Sequence, residues 1–145
     1  MSNLTFILGG ARSGKSSYAQ SLAEESGKSV TFIATAQALD DEMSARIQKH
    51  RAGRPVNWDT LEIPSEVASH IQRIKSEVIV LDCVTLLVSN LLMQFVQNDL
   101  VSEAPLKLAL QREVEELIVA MRGQKQDWMI ISNEVGLGLV PPYQM

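Results

Sequence analysis

The feature that most constrains this chain lies near its start. The apolar run Leu4–Leu8 (LTFIL) breaks into Gly9-Gly10-Ala11-Arg12-Ser13-Gly14-Lys15-Ser16. A short apolar run closed by two glycines has the pattern of a buried parallel strand. A helix is expected over 16–26, with Ala19, Leu22 and Ala23 on one face and Gly27 as its stop. Strand, glycine-rich turn and helix in that order fit G-x-x-x-x-G-K-[ST], a phosphate-binding loop. Its glycines let the backbone wrap a phosphate chain with N–H groups pointing inward, and the helix start adds a positive end. Lys15 is then placed to neutralise the β- and γ-phosphates, and the Ser16 hydroxyl to ligate Mg²⁺.

The rest of the chain repeats this alternation. Ser29–Ala34 (SVTFIA) has the β-branched and aromatic content of a strand. Asp40-Asp41-Glu42 opens an acidic first turn, and the helix it starts carries Met43, Ile47 and His50 around to Gly53 before Pro55 forbids continuation. A short strand is expected over 59–63, and a helix from Pro64-Ser65 holding Val67, Ile71 and Ile74. An apolar strand over 78–81 ends at Asp82, helices follow over 85–97 and 105–121, and a strand over 128–131 leads into Ser132-Asn133-Glu134. Strands alternating with helices predict an α/β fold, a mostly parallel sheet covered on both faces.

A length of 145 residues makes a single domain, 1–145, the default. The formal charge of −4 argues against a broad nucleic-acid or membrane-binding surface. No apolar stretch is long enough to span a bilayer, and the N-terminus lacks a leader pattern. The lone cysteine, Cys83, excludes an internal disulfide framework and fits a cytoplasmic protein; beside Asp82 it reads as a small buried hydrophobe.

A phosphate loop calls for an acidic partner at the end of another buried strand. Asp82, closing VIVLD, supplies one and is the candidate metal ligand with Ser16. Taken alone, Asp82 could equally cap the next helix. Positive charge is concentrated in Arg46, Lys49, Arg51 and Arg54, around His50. On a helix, Arg46, His50 and Arg54 share a face. Cations that close favour the neutral imidazole, whose lone pair can act as nucleophile or base. Taken alone, such a histidine is more often an incidental member of a solvated basic face. His70 has no comparable setting and reads as surface or boundary.

The segments GGARSGKS (9–16), FIATAQALDDEMSARIQKHRAGRPVNWDTLEIP (32–64), VLDCVTLLVSNLL (80–92) and SNEVGLGLVP (132–141) together resemble one family. It is the bifunctional adenosylcobinamide kinase/adenosylcobinamide-phosphate guanylyltransferase family of cobalamin biosynthesis. The most specific part is R-I-x-x-H-R-x-x-R-P-x-x-W from Arg46 to Trp58, followed by Thr60-x-Glu62. The resemblance implies a RecA-like P-loop NTPase fold and two reactions. ATP or GTP phosphorylates the aminopropanol hydroxyl of adenosylcobinamide. A histidine then attacks the α-phosphate of GTP, expels pyrophosphate, and passes GMP to the cobinamide phosphate, giving adenosylcobinamide-GDP.

By motif position His50 is that nucleophile, acting beside Lys15. Nucleotide contacts fall on Gly9, Gly10, Ala11, Arg12, Ser13, Gly14, Lys15, Ser16, Ala34, Thr35, Ala36, Arg51, Ala52, Gly53, Arg54, Glu62 and Asp82. Glu62 would meet the guanine edge or ribose, its alternative being an exposed strand carboxylate; Glu134 has no assigned role. The resemblance also implies a homotrimer, and a family domain that continues past 145 with further helix and strand, so that one sheet edge is expected to be exposed here. Two other readings stay open: a simple P-loop small-molecule kinase with a passive His50, and a nucleotide-binding module without catalysis.

Overall fold

The computed structural model describes residues 3–10 and 14–133. In chain order they form β1 (Leu4–Gly9), α1 (Lys15–Glu25), β2 (Val30–Ala34), α2 (Asp41–Ala52), β3 (Asp59–Glu62) and α3 (Ala68–Ile71). There follow β4 (Val78–Asp82), α4 (Val84–Gln94), β5 (Val96–Gln97), β6 (Leu100–Val101), α5 (Glu103–Gly123) and β7 (Asp127–Asn133). Five strands pair in parallel in the order β1-β7-β4-β2-β3, and β5 and β6 make a separate antiparallel pair. The α/β expectation holds.

Period-two alternation divides the strands between two cores. On β4, Val78 and Val80 pack with Ala19, Ala23, Val30 and Phe32, under α1. Ile79 and Leu81 point the other way, toward Ile71, Leu87, Leu117 and Trp128, under α3, α4 and α5. Burial on both faces explains why β4 is written as an unbroken apolar run.

The expectation of a buried strand at Leu4–Leu8 is corrected. Among the described residues β1 pairs only with β7, and Leu4, Phe6 and Leu8 are more than half exposed while Ile7 is buried. The helix expected over 85–97 ends at Gln94. Asn98 and Asp99 then adopt positive φ (52° and 61°), as a tight hairpin turn requires, and Val96–Gln97 pairs with Leu100–Val101. The helix expected from Pro64 shrinks to Ala68–Ile71 because Glu66 sits at φ 57°. The buried Glu113 carboxylate on α5 accepts hydrogen bonds from Glu66 N (2.7 Å) and Val67 N (3.1 Å), holding that turn from across the core. Val67, Ile71 and Ile74 are nevertheless buried.

Replacing the fully buried Ile79 by alanine leaves a cavity between β4 and the α5 side, and should cost about 3 kcal/mol in urea unfolding. A loss under about 1 kcal/mol would contradict this two-sided core. At the start of β7, Asp127 accepts from Asn3 N (2.9 Å) and Lys28 Nζ (3.0 Å). The Asn3 bond first, and Lys28 after it, hold the Asp127 carboxyl below its ordinary range. A depressed carboxyl stabilises the fold above the unfolded value, about 3.9, and loses that contribution as pH falls through the folded one. The stability gap between wild type and Asp127→Asn should therefore be full at pH 6 and close below about pH 4; a gap that widens on acidification would refute the assignment.

Candidate functional site

The carboxyl ends of β1, β4 and β2 converge on one edge of the sheet, where ligands bind in open parallel α/β folds. Gly9 ends β1, and Gly14 adopts the left-handed conformation (φ 83°) that starts α1. Ala11, Arg12 and Ser13, like Glu134, lie outside the described residues. The Lys15 ammonium donates to Gly10 O (2.9 Å), and Ser16 Oγ donates to Asp82 Oδ2 (2.8 Å) across 66 residues of sequence. Two hard oxygen donors side by side fit part of a Mg²⁺ shell, the rest of which is ordinarily water and phosphate oxygen. Among the described residues no cluster of three or more His, Cys, Asp or Glu could hold a metal by itself.

A cleft of about 530 Å³ opens here, lined by Lys15, Ser16 and Asp82 on the sheet side. Arg46, His50 and Arg54 form the opposite wall, with Met43 and Ile47 completing it. These residues come from α2 and the turn after it. The Asp40 side chain caps α2 by accepting from Met43 N (2.7 Å), acidic residues fill its first turn, and Lys49, His50 and Arg51 its last, in accord with the helix dipole. None of its residues is buried. What holds the C-terminal end of α2 is polar. Gln20 Nε2 on α1 donates to Gly53 O (2.9 Å), Arg51 pairs with Glu62 (3.2 Å), and the Arg54 guanidinium lies 3.7 Å from the centroid of the Phe32 ring. Burial against that ring pushes the Arg54 guanidinium down, with Asp82 opposing, and it remains a cation. A smaller adjoining cavity between α1 and α2 shares Arg46 and His50 and adds Lys49, Gln20 and Gly53.

The expected site residues thus divide. Gly14, Lys15, Ser16, Ala34, Ala36, His50, Arg54 and Asp82 line the cleft together. Arg51 and Glu62 turn toward each other beside it, and the exposed Ala52 ends α2. Thr35 is fully buried, its hydroxyl committed to the Cys83 backbone. Cys83 itself is buried, which pushes its thiol up, away from thiolate chemistry. The residues missed include Phe32, the platform for Arg54, and Leu86 on α4, which lines the cleft. Both read in the sequence as ordinary core positions.

Comparison with known proteins agrees with this architecture. The sequence matches the family described as cobinamide kinase / cobinamide phosphate guanyltransferase over residues 5–145. It is 39% identical over 143 residues to the bifunctional adenosylcobalamin biosynthesis protein CobU of Escherichia coli (strain K12), covering 95% of this chain and 78% of that one. It is 44% identical over 138 residues to CobP of Pseudomonas aeruginosa, also named a bifunctional adenosylcobalamin biosynthesis protein, covering 93% and 73%. In three dimensions it is similar to the RadB recombinase, with a TM-score of 0.53 and 17% identity over 90% of this chain and 61% of that one, a likeness of fold alone. With the phosphate loop, the Asp82 corner and the histidine helix in one cleft, the chain belongs to the cobinamide kinase / cobinamide phosphate guanyltransferase family.

Proposed function

We propose that this chain catalyses both reactions of its family in or beside the one cleft. The first moves the γ-phosphoryl of ATP or GTP to the aminopropanol hydroxyl of adenosylcobinamide; the second moves GMP from GTP to the resulting phosphate through His50. The observation that carries the reading is the shared lining: Lys15, Ser16 and Asp82 face Arg46, His50 and Arg54 across one space.

In the kinase step the incoming hydroxyl forms a bond to the γ-phosphorus, the β–γ bridge breaks to release the nucleoside diphosphate, and one proton leaves the hydroxyl. Lys15 and the start of α1 hold the phosphates against charge developing on their oxygens. Mg²⁺, when bound between nucleotide and protein, would neutralise phosphate charge; Ser16 and Asp82 are the residues to hold it. In the guanylyl step an imidazole nitrogen of His50 bonds to the α-phosphorus as pyrophosphate departs, and the ring loses its N–H proton. Arg46 and Arg54 flank the developing negative charge. A phosphate oxygen of the cobinamide phosphate then attacks the same phosphorus, the P–N bond breaks, and His50 recovers its proton. The geometry of an in-line displacement puts that oxygen where pyrophosphate stood. We further infer, from the family resemblance, assembly as a homotrimer, which sedimentation equilibrium would test.

Incubation with GTP labelled at the α-phosphorus should leave acid-labile, base-stable label on the protein, and His50→Ala should leave none. Persistent label in His50→Ala would move the nucleophile elsewhere. Absence of label in the wild type with kinase activity intact would reduce the protein to a small-molecule kinase, and loss of both activities with GTP still bound to a nucleotide-binding module. Lys15→Ala should lower phosphorylation of adenosylcobinamide by about 10²-fold or more; activity within about threefold of wild type would mean that the loop does not hold the reacting phosphates.

A further inference from the structure

At the carboxyl edge of the sheet the exits of β2 and β4 and a side chain of α4 meet at one buried residue whose hydroxyl is already committed to backbone. Thr35 follows β2, and its N–H donates to Asp82 O (3.0 Å). Its hydroxyl accepts from Cys83 N (2.9 Å) and donates to Cys83 O (2.8 Å). Its carbonyl accepts from Asn90 Nδ2 (2.8 Å), on the second turn of α4. The same Asn90 nitrogen donates to Pro64 O (2.9 Å), two residues beyond β3. Both partners of Asn90 are carbonyls, so the amide NH₂ must face them and both of its hydrogens are used. The residue before Thr35 extends the tie, since Ala34 O accepts from Ile63 N (2.9 Å).

We propose that Asn90 and Thr35 are positioning residues for the metal-binding corner of the cleft. Asn90 holds Thr35 against the exits of β2 and β3, and Thr35 grips the peptide on the C-terminal side of Asp82. The Asp82 carboxylate is thereby kept 2.8 Å from Ser16 Oγ. Neither has a side-chain donor left for a nucleotide: the buried Thr35 hydroxyl donates to Cys83 O, and both Asn90 amide hydrogens go to backbone carbonyls. Thr35 also roots the segment that runs through Ala36 to Asp40 and the start of α2, so the clamp fixes the near end of the path to His50. This inference rests on the reading of Ser16 and Asp82 as the residues that hold Mg²⁺.

The test is affinity for guanosine 5′-(β,γ-imido)triphosphate, measured by calorimetry in Mg²⁺ and in EDTA on proteins that melt cooperatively. Wild type should bind more tightly in Mg²⁺. In Asn90→Ala and Thr35→Val that gain should fall about tenfold, the effect of losing one or two buried hydrogen bonds at the corner, with affinity in EDTA unchanged. Thr35→Ser, which keeps the hydroxyl, should restore the gain to Thr35→Val. An undiminished gain in Asn90→Ala overturns the proposal, as does an equal loss of affinity with and without Mg²⁺, which is what general loosening would produce. If Thr35→Val does not fold, Asn90→Ala decides. Asp82→Asn separates the two layers. If it keeps the gain, the metal reading falls and this one with it. If it loses the gain while Asn90→Ala keeps it, only the positioning role falls.

Discussion

A hydroxyl at the start of one helix meets a carboxylate at the end of a strand 66 residues away, and the rest of the site is arranged around that contact. Ser16 can reach Asp82 only because β1 and β4 run parallel and end at the same edge, with β7 inserted between them. The insertion matters. Paired through β7, the two strands are spaced so that the start of α1 lies against the end of β4, and Asn133, the last residue of β7, lines the cleft between them. The doubly buried β4 makes this placement firm: Val78 to Leu81 are almost inaccessible on both faces, so the carboxylate that follows them is mounted on a strand packed from both sides.

The opposite wall is built on other terms. α2 buries no side chain and is held at its end by polar contacts and the stacking of Arg54 on Phe32. Exposed ion pairs such as Arg51–Glu62 are worth little individually. This helix therefore brings Arg46 and His50 to the cleft while contributing little to the core. The cleft thus pairs a wall mounted on the buried sheet, carrying Lys15, Ser16 and Asp82, with a lightly tethered wall carrying Arg46, His50 and Arg54, a division that suits the two transfers proposed above.

Much of this was legible in the sequence, for reasons that are local. The phosphate loop declares itself by glycine spacing, β4 by its apolar run, and α2 by its Asp40 cap and its stop at Gly53 and Pro55. What was illegible depends on partners distant in the chain. The helix expected after Pro64 is cut short by a Glu113 carboxylate 47 residues from Glu66, and the apolar run Leu4–Leu8 reads as buried although among the described residues Leu4, Phe6 and Leu8 find nothing packed over them. The hairpin at Asn98-Asp99 did carry a signal, two residues that tolerate positive φ, but the helical pattern before it obscured that signal. Within the site, family resemblance named Thr35 among the nucleotide contacts, whereas its side chain works inward on Cys83. Motif spacing identifies a residue's neighbourhood; only the fold shows which way the side chain is committed.

The central claim is that the lone pair of His50 and the phosphates gripped by the glycine-rich loop belong to one reaction space. A crystal structure of the assembled protein with Mg²⁺ and a GTP analogue carrying a non-cleavable α,β bridge tests it most directly. The account predicts an imidazole nitrogen of His50 about 3–3.5 Å from the α-phosphorus, opposite the bridge. A well-ordered nucleotide with His50 outside reach of the α-phosphorus in every subunit would contradict it.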